Sequence, residues 1–488
     1  MNKLDDVVTA QPNDFSTARA TGTLADEGRT RAGALRLFGT DGVRGVANVE
    51  PITPQTALKL GRALAYLSKS ASRRRHRILI GKDTRLSGYM LETALASGIC
   101  SMGVDVMLVG PMPTPAIAFL TRSMRADAGV VISASHNPFY DNGIKFFSGQ
   151  GFKLDEALER RIEELVFNER ELERARPPAE GIGKAFRIDD ALGRYQVFLK
   201  ACLPRTLTFD GLKVVVDCAN GAAYRAGPEV FEELGAEVIA IGVQPDGRNI
   251  NAECGALYPK AVQEAVRSAG ADVGIALDGD GDRVILVDSG GGLFDGDDVL
   301  AMMGRKLARQ GLLAGNRVVA TTMSNLGLER SLAEVGVGLV RTEVGDPAVV
   351  REMLANSYNL GGEQSGHIIF MDYSTTGDGL MTAIMVVAHM IETGKPLSAL
   401  RAMQRAPQVT CSVPVRRKVA FETIPELARK IAAAKTELGN SGRLLVRYSG
   451  TEMAARVMAE GEDEHALTVI VNELSAEIAR YLGANSPD

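Results

Sequence analysis

The segment Asp278-Gly279-Asp280-Gly281-Asp282-Arg283 follows directly on the apolar run Ile275 to Leu277. Carboxylates spaced by two fall on one side of an extended or tightly turned backbone, and the intervening glycines let that backbone bend without side-chain obstruction. Three converged carboxylates repel one another, and a hard divalent cation relieves the repulsion. All-oxygen donors without His or Cys point to Mg²⁺ rather than Zn²⁺, with Asp278, Asp280 and Asp282 as ligands. An EF-hand does not fit, because its loop requires Gly where this chain has Arg283 and Glu where it has Ser289. The bland alternative is an acidic turn between strands.

Four further segments offer complementary chemistry. Ile132-Ser133-Ala134-Ser135-His136-Asn137-Pro138, again after an apolar run, sets Ser135 beside His136, with Lys145 a little further on. Ser135 is a candidate nucleophile there, and Lys145 a candidate proton acceptor if burial and cationic neighbours lower its pKa. The competing reading is a polar turn in which Ser135 and Asn137 satisfy backbone groups. No G-x-S-x-G elbow supports a hydrolase triad. Gly361-Gly362-Glu363-Gln364-Ser365-Gly366-His367 packs donors and acceptors between glycines, a set suited to recognising a hydroxylated or aminated sugar, or else an ordinary loop. Arg447-Tyr448-Ser449-Gly450-Thr451-Glu452 supplies a guanidinium, hydroxyls and backbone N–H groups that fit one phosphate. Phe38-Gly39-Thr40-Asp41-Gly42-Val43-Arg44-Gly45 places Arg44 in a glycine-flexible loop, where it reaches a phosphoryl group or simply pairs with a carboxylate. Neither GxxxxGK[ST] nor a strand-linked GxGxxG is present, so nucleotide binding through those loops has no support.

The elements that must position these loops are α/β. Short apolar runs (Ile78-Leu79-Ile80, Val104 to Val109, Gly129 to Ile132, Val214 to Val216, Val238 to Ile241, Val273 to Leu277, Val284 to Val287, Arg317 to Ala320, Gly338 to Val340) alternate with helical patterns. That alternation predicts α/β layers with largely parallel strands. Pro54 to Ser68, behind a Thr53 N-cap, reads as a helix, and Glu159 to Arg176 as a charged helix ending at Pro177-Pro178. After Arg405-Ala406-Pro407 the order strand, helix, strand, strand, helix predicts a smaller α+β unit. We therefore expect a polar extension over 1–36, a first domain over 37–178 with the serine loop, a second over 179–289 with the metal loop, a third over 290–405 with the sugar loop, and a fourth over 406–488 with the phosphate loop. Arg73-Arg74-Arg75-His76-Arg77 reads as a solvated helix end.

Composition narrows the class. The chain has 488 residues, 45% hydrophobic and 24% charged, enough to bury several cores. Fifty-five Lys and Arg against 60 Asp and Glu give a net charge of −5, which leaves no excess positive charge for nucleic acid or an anionic membrane. The uncharged runs Val106 to Thr121, broken by prolines, and Leu380 to Ile391 fall short of a span. No apolar h-region opens the chain. Five scattered cysteines without a CxxC pair argue against a disulfide framework and for a reducing cytoplasm.

Taken together and in this order, the five segments closely resemble the α-D-phosphohexomutase superfamily, from about Leu37 to near the C-terminus. The form Gly-Gly-Glu-Gln-Ser-Gly-His is similar to that of its amino-sugar members. The resemblance implies four domains around a central cleft, the first three of related α/β topology with mixed sheets and the last α+β. It implies that Ser135 carries a phosphoryl group, and that Mg²⁺ binds Asp278, Asp280, Asp282 and an oxygen of phosphorylated Ser135. It implies interconversion of glucosamine 6-phosphate and glucosamine 1-phosphate, with a hexosamine 1,6-bisphosphate as activator and intermediate. By matching position, Lys145 is the general base, and Arg44, His136 and Arg283 stabilise charge at the transferring group. Glu363 and Ser365 hold sugar hydroxyls with Gln364 and His367 adjacent, while Arg447, Ser449, Gly450 and Thr451, with Arg456, grip the other phosphate. The chain departs from the family pattern where Pro347-Ala348 replaces Arg-Tyr and Met453-Ala454 replaces Pro and a bulkier residue. Glucose or mannose phosphates as substrates, an inactive sugar-phosphate sensor and a metal-dependent phosphatase are the competing functions. Small-molecule hexosamine phosphates are the expected partners of a monomer or homodimer.

Overall fold

The computed structural model describes residues 37–39, 41–69, 75–439, 441–449 and 453–483. The N-terminal extension, Thr40, Arg73-Arg74 and Gly450-Thr451-Glu452 lie outside the described residues. The chain forms two compact units. The first holds the described residues through Gly292 together with Tyr373–Thr393; the second holds Leu293–Asp372 and the described residues from Gly394 on.

Three sheets repeat one plan. In the first, Asp105–Pro111, Arg77–Lys82, Ala128–Ile132 and Asp141–Ser148 lie side by side, the first three parallel and the last antiparallel. The second sheet sets Glu237–Ile241, Lys213–Asp217, Val273–Leu277 and Val284–Asp288 in the same order and sense. The third, in the second unit, does so with Gly338–Thr342, Arg317–Thr321, Leu360–Gly362 and Ile368–Phe370. The sheets are thus mixed rather than largely parallel. The reason is local: the loops after Ile132, Leu277 and Gly362 are too short for the crossover that a parallel neighbour requires, so the next strand must return antiparallel. In the first sheet Gly42–Val46 adds a further antiparallel strand beside Asp141–Ser148, setting Arg44 opposite Gly143.

Strands covered by helices on both faces read as continuous apolar runs. Ala128–Ile132 and Val273–Leu277 are buried at every residue. Pro54–Ser68 is a helix with Pro in its first turn and Thr53 as N-cap, accepting from the Thr56 N–H. The charged helix expected to run to Arg176 is two, Glu156–Phe167 and Arg170–Arg174, because Asn168 leaves helical backbone angles between them. Gly379–Thr393, almost wholly buried, belongs to the first unit although it follows the third sheet in sequence. The last domain pairs Gln408–Pro414 with Ala454–Glu460 and that strand with Arg443–Tyr448, all antiparallel. The helices Pro425–Leu438 and Glu464–Leu482 share its core through Leu427, Val457, Leu467 and Val471. No helix among the described residues is long and apolar enough to cross a membrane.

Removing the Thr53 hydroxyl leaves the Thr56 N–H without its side-chain acceptor and takes from Glu50 one of its two hydroxyl donors, Thr53 at 2.7 Å, leaving Thr56 at 2.8 Å. Thr53→Ala is expected to destabilise the first unit by about 1 kcal/mol, read as a lower melting temperature in differential scanning fluorimetry. An unchanged melting temperature contradicts the cap.

Candidate active site

The metal loop is the hairpin connection between Val273–Leu277 and Val284–Asp288, closed by the Asp278 N–H on Arg283 O and the Arg283 N–H on Asp278 Oδ1. Asp278, Asp280 and Asp282 are all at least 96% buried, with carboxylate oxygens within 4.8 Å of one another. Burial, then Asp282 and Asp280, push the Asp278 carboxyl well above the ordinary carboxylate range. Burial and Asp282 also push Asp280 upward, but Lys145 at 3.0 Å and the Thr114 hydroxyl at 2.8 Å outweigh them and hold it low. Asp280 Oδ1 is buried with no hydrogen-bond partner among the described residues. An orphaned carboxylate oxygen inside a cluster of hard donors fits a divalent cation of the Mg²⁺ type.

Ser135 enters this cluster from the neighbouring domain. Its hydroxyl donates to Asp278 Oδ2 at 2.6 Å, and the residue is 1% exposed. The loop that carries it joins Ala128–Ile132 to Asp141–Ser148, and Ser135 holds a left-handed φ of 51°. The approach is close: a Cβ on Gly279 would lie 2.6 Å from Ser135 O and 2.7 Å from Asn251 Nδ2. Only a residue without a side chain fits there, which gives the first glycine of the Asp-Gly-Asp-Gly-Asp run its reason.

The basic residues surround the same point. Lys145 lies on Asp141–Ser148 opposite Val131 and donates to Asp280, with Asp41 at 3.3 Å. Burial lowers its pKa, yet Asp280 and Asp41 more than compensate and the net direction is upward. The condition set for Lys145 as a proton acceptor, a lowered pKa, is therefore not met in this arrangement, because its nearest charged neighbours are carboxylates. Arg44 takes the pairing alternative, with its guanidinium on the Asp41 carboxylate. Burial raises Asp41, but Lys145, Lys153 and Arg44 hold it well below the usual range. His136 Nδ1 lies 3.4 Å from Ser135 Oγ and 3.1 Å from Arg283 Nη1. Burial, Arg283 and Arg44 push its pKa down to about 4, so the imidazole is neutral near pH 7.

The second unit carries the other two groups of residues. Glu363 to His367 form the turn between Leu360–Gly362 and Ile368–Phe370, closed by the Glu363 N–H on His367 O. Glu363 accepts from the Gly345 N–H at 3.0 Å and from Ser365 at 3.3 Å, and the Gln364 carbonyl accepts from the Gly296 N–H. His367 is buried, 3.7 Å from Asp346. Pro347 sits in the first turn of the helix Asp346–Asn356, a position proline tolerates. The departure at Pro347-Ala348 thus keeps the helix and removes a guanidinium. Arg447 and Arg456 are direct cross-strand partners. Like charges so placed repel, and burial followed by Arg456 lowers the Arg447 pKa. Ser449 is buried beside them in sequence, and its carbonyl accepts from Lys418 at 2.6 Å. Gly450 and Thr451 lie outside the described residues.

Sequence reasoning passed over Asp83, Arg85, Thr114, Asn251 and Lys418. For Asp83 and Arg85 the signal was present: Asp83-Thr84-Arg85 stands immediately after the buried strand Arg77–Lys82, the place where α/β sheets put ligand-binding residues. Thr114, one residue past Pro113, opens a helix whose first N–H donates to Asp280 O.

Models of the phosphoglucomutase/phosphomannomutase family match four consecutive stretches: α/β/α domain I over residues 35–173, domain II over 194–291, domain III over 295–406 and the C-terminal domain over 409–477. Phosphoglucosamine mutase from Syntrophotalea carbinolica is 56% identical over 454 residues, covering 93% of this chain and 99% of that protein. Phosphoglucosamine mutase from an Anaeromyxobacter species is 59% identical over 454 residues, covering 92% and 97%. Among solved structures, a phosphoglucomutase/phosphomannomutase family protein from Burkholderia thailandensis superposes with a TM-score of 0.76 at 24% identity, covering 91% of this chain and 97% of that one. The Aspergillus fumigatus N-acetylphosphoglucosamine mutase, solved with GlcNAc-6P and magnesium, superposes at 0.64 with 19% identity over 92% and 96%.

A folded-state pKa near 4 lies below the value of about 6.5 for an unperturbed imidazole. The unfolded chain then takes up the proton first, so this group's contribution to stability is intact above pH 6.5 and declines as pH falls toward 4. In an NMR titration the His136 ring signals are expected to stay fixed from pH 8 to pH 5. A midpoint near 6.5 contradicts the burial and charge environment described.

Proposed function

We infer the reaction from a plain premise: this chain belongs to the phosphoglucomutase/phosphomannomutase family, and its relatives at 56 to 59% identity over nearly its whole length are phosphoglucosamine mutases. It is an intramolecular phosphotransferase that interconverts glucosamine 6-phosphate and glucosamine 1-phosphate. The observation that carries the mechanism is the Ser135 hydroxyl on Asp278 at 2.6 Å, inside the acidic triad.

In the reading we favour, phosphorylated Ser135 gives its phosphoryl group to O1 of glucosamine 6-phosphate: the P–Oγ bond breaks, a P–O1 bond forms and the O1 proton leaves. The resulting 1,6-bisphosphate turns round, and its 6-phosphoryl group returns to Ser135: the P–O6 bond breaks, a P–Oγ bond forms, and the proton lost from Oγ is matched by one taken up at O6. Asp278, Asp280 and Asp282, with an oxygen of phosphorylated Ser135, would hold a divalent cation, which would supply positive charge beside the transferring group. Arg283 supplies fixed donors beside Ser135, with neutral His136 accepting from Arg283 at Nδ1 and Arg44 at the margin. Lys145 is an ammonium while Asp280 and Asp41 engage it, so its first contribution is charge. Serving as base requires that those carboxylates be drawn off.

Glu363 and Ser365 accept and donate to sugar hydroxyls, with Gln364 and His367 holding the turn. Arg447 and Arg456, with Ser449, Gly450 and Thr451, receive the phosphate that is not being transferred. The five free cysteines suit a reducing compartment, and we assign the protein to the cytoplasm. The product would then feed amino-sugar nucleotide and peptidoglycan precursor synthesis.

Initial velocities on glucosamine, glucose and mannose 6-phosphates, with Mg²⁺ and a trace of hexose 1,6-bisphosphate, test the reading. A kcat/KM preference for glucosamine 6-phosphate that disappears in Ser135→Ala is expected. Equal activity in that variant sinks the phosphoserine route, preference for another sugar reassigns the substrate, and phosphate release without isomerisation makes the protein a phosphatase. Arg447→Ala is expected to raise KM about tenfold or more, the loss of one charge-assisted anion contact, and an unchanged KM removes Arg447 from the phosphate site.

A further inference from the structure

Ser135 is held in a left-handed conformation that a β-carbon disfavours, and such strain persists only where surrounding contacts over-determine it. The contacts that do so come from two side chains on different domains. Arg85, 0% exposed, donates from Nη2 to the carbonyls of Ser135 and Asn137, both at 2.9 Å, and from Nη1 to Pro138 O at 2.9 Å. Its Nε lies 2.9 Å from Asp83 Oδ2, and Asp83 in turn accepts from the Ser133 hydroxyl at 2.6 Å. Ser133 Oγ accepts the Ser135 N–H, so both ends of the Ser135 peptide geometry trace back to this buried pair. From the second domain, Asn251 Nδ2 donates to the same two carbonyls, Ser135 O at 2.9 Å and Asn137 O at 3.1 Å.

We propose that Arg85 and Asn251 act as one two-sided clamp on the Ser135 and Asn137 carbonyls, positioning residues that aim the Ser135 oxygen at the acidic triad. The planar guanidinium can engage three carbonyls at fixed angles where an ammonium cannot, and Asn251 locks the same carbonyls to the domain that bears the triad. The clamp's contacts go to backbone carbonyls and not to the Ser135 hydroxyl itself. Its loss therefore misaims the reacting oxygen and lowers kcat while leaving substrate affinity in place. The proposal rests on Ser135 as the phosphoryl carrier.

The test compares full-length wild type, Ser135→Ala, Arg85→Lys, Asn251→Ala and the Arg85→Lys/Asn251→Ala double variant, measuring kcat, KM for glucosamine 6-phosphate, melting temperature and the ³¹P resonance of the phosphoenzyme. Each clamp variant is expected to lose about tenfold or more in kcat with KM within about twofold, and to shift or broaden the phosphoserine resonance. Because both side chains serve the same carbonyls, the double variant is expected to fall well short of the product of the single effects. Folded Asn251→Ala with wild-type kcat and an unmoved resonance overturns the clamp, as do kcat and KM changing together or single effects that multiply. If Arg85→Lys does not fold, Asn251→Ala decides alone, since it leaves the Asp83–Arg85 pair intact. Mutase activity persisting in Ser135→Ala overturns the phosphoserine reading and the clamp with it, whereas activity lost there but kept in both clamp variants overturns the clamp only.

Discussion

Three carboxylates within 4.8 Å of one another, all but withdrawn from water, repel strongly, and much of the first unit is arranged around that repulsion. Lys145 and Thr114 hold Asp280 ionised, while Asp278 accepts from Ser135 and is pushed toward its protonated form. Such a site is poised rather than satisfied. Among the described residues one oxygen of Asp280 has no donor, which suits the cluster to a hard cation.

Within the first unit topology brings Ser135 to the acidic triad. In each of the three α/β sheets the third strand is followed by an antiparallel return, and the loop at that reversal holds candidate site residues: Ser135 in the first, the triad in the second, Glu363 to His367 in the third. The last domain repeats the habit, with Ser449 following Arg443–Tyr448 before Ala454–Glu460 returns. A short loop between buried strands is anchored at both ends, so its side chains are placed by the sheet and not by the loop's own preferences. The first two loops meet where Gly279 leaves room for the Ser135 carbonyl.

Charge organisation follows from these placements. Asp41 collects Lys145, Lys153 and Arg44, which keeps a dense group of cations compatible with one another. Arg447 and Arg456 stand opposite one another on neighbouring strands, so two like charges share one place on the last sheet. His136 is kept neutral by burial and two guanidinium neighbours, so a proton does not compete with the donors around Ser135.

By itself the sequence determined the strand-and-helix alternation, the helix Pro54–Ser68 with its Thr53 cap, and the acidic triad, because apolar periodicity, a capping residue and carboxylates at a spacing of two are local signals. The order of the last domain's elements was legible for the same reason. Tertiary structure alone decided the break at Asn168 and the partners of the buried charged side chains, such as Lys145 with Asp280 and Arg85 with Asp83. Lys145 illustrates the divide: its residue type suggested a base, but its ionisation depends on Asp280, 135 positions away in sequence. Asn251 was invisible for a related reason, since a side chain that binds backbone carbonyls of a distant loop leaves no pattern in its own neighbourhood, and Arg85, though its place after a buried strand was legible, gave no sign of the carbonyls it binds. Electrostatic and hydrogen-bond energies depend on separation in space, and separation along the chain does not fix it.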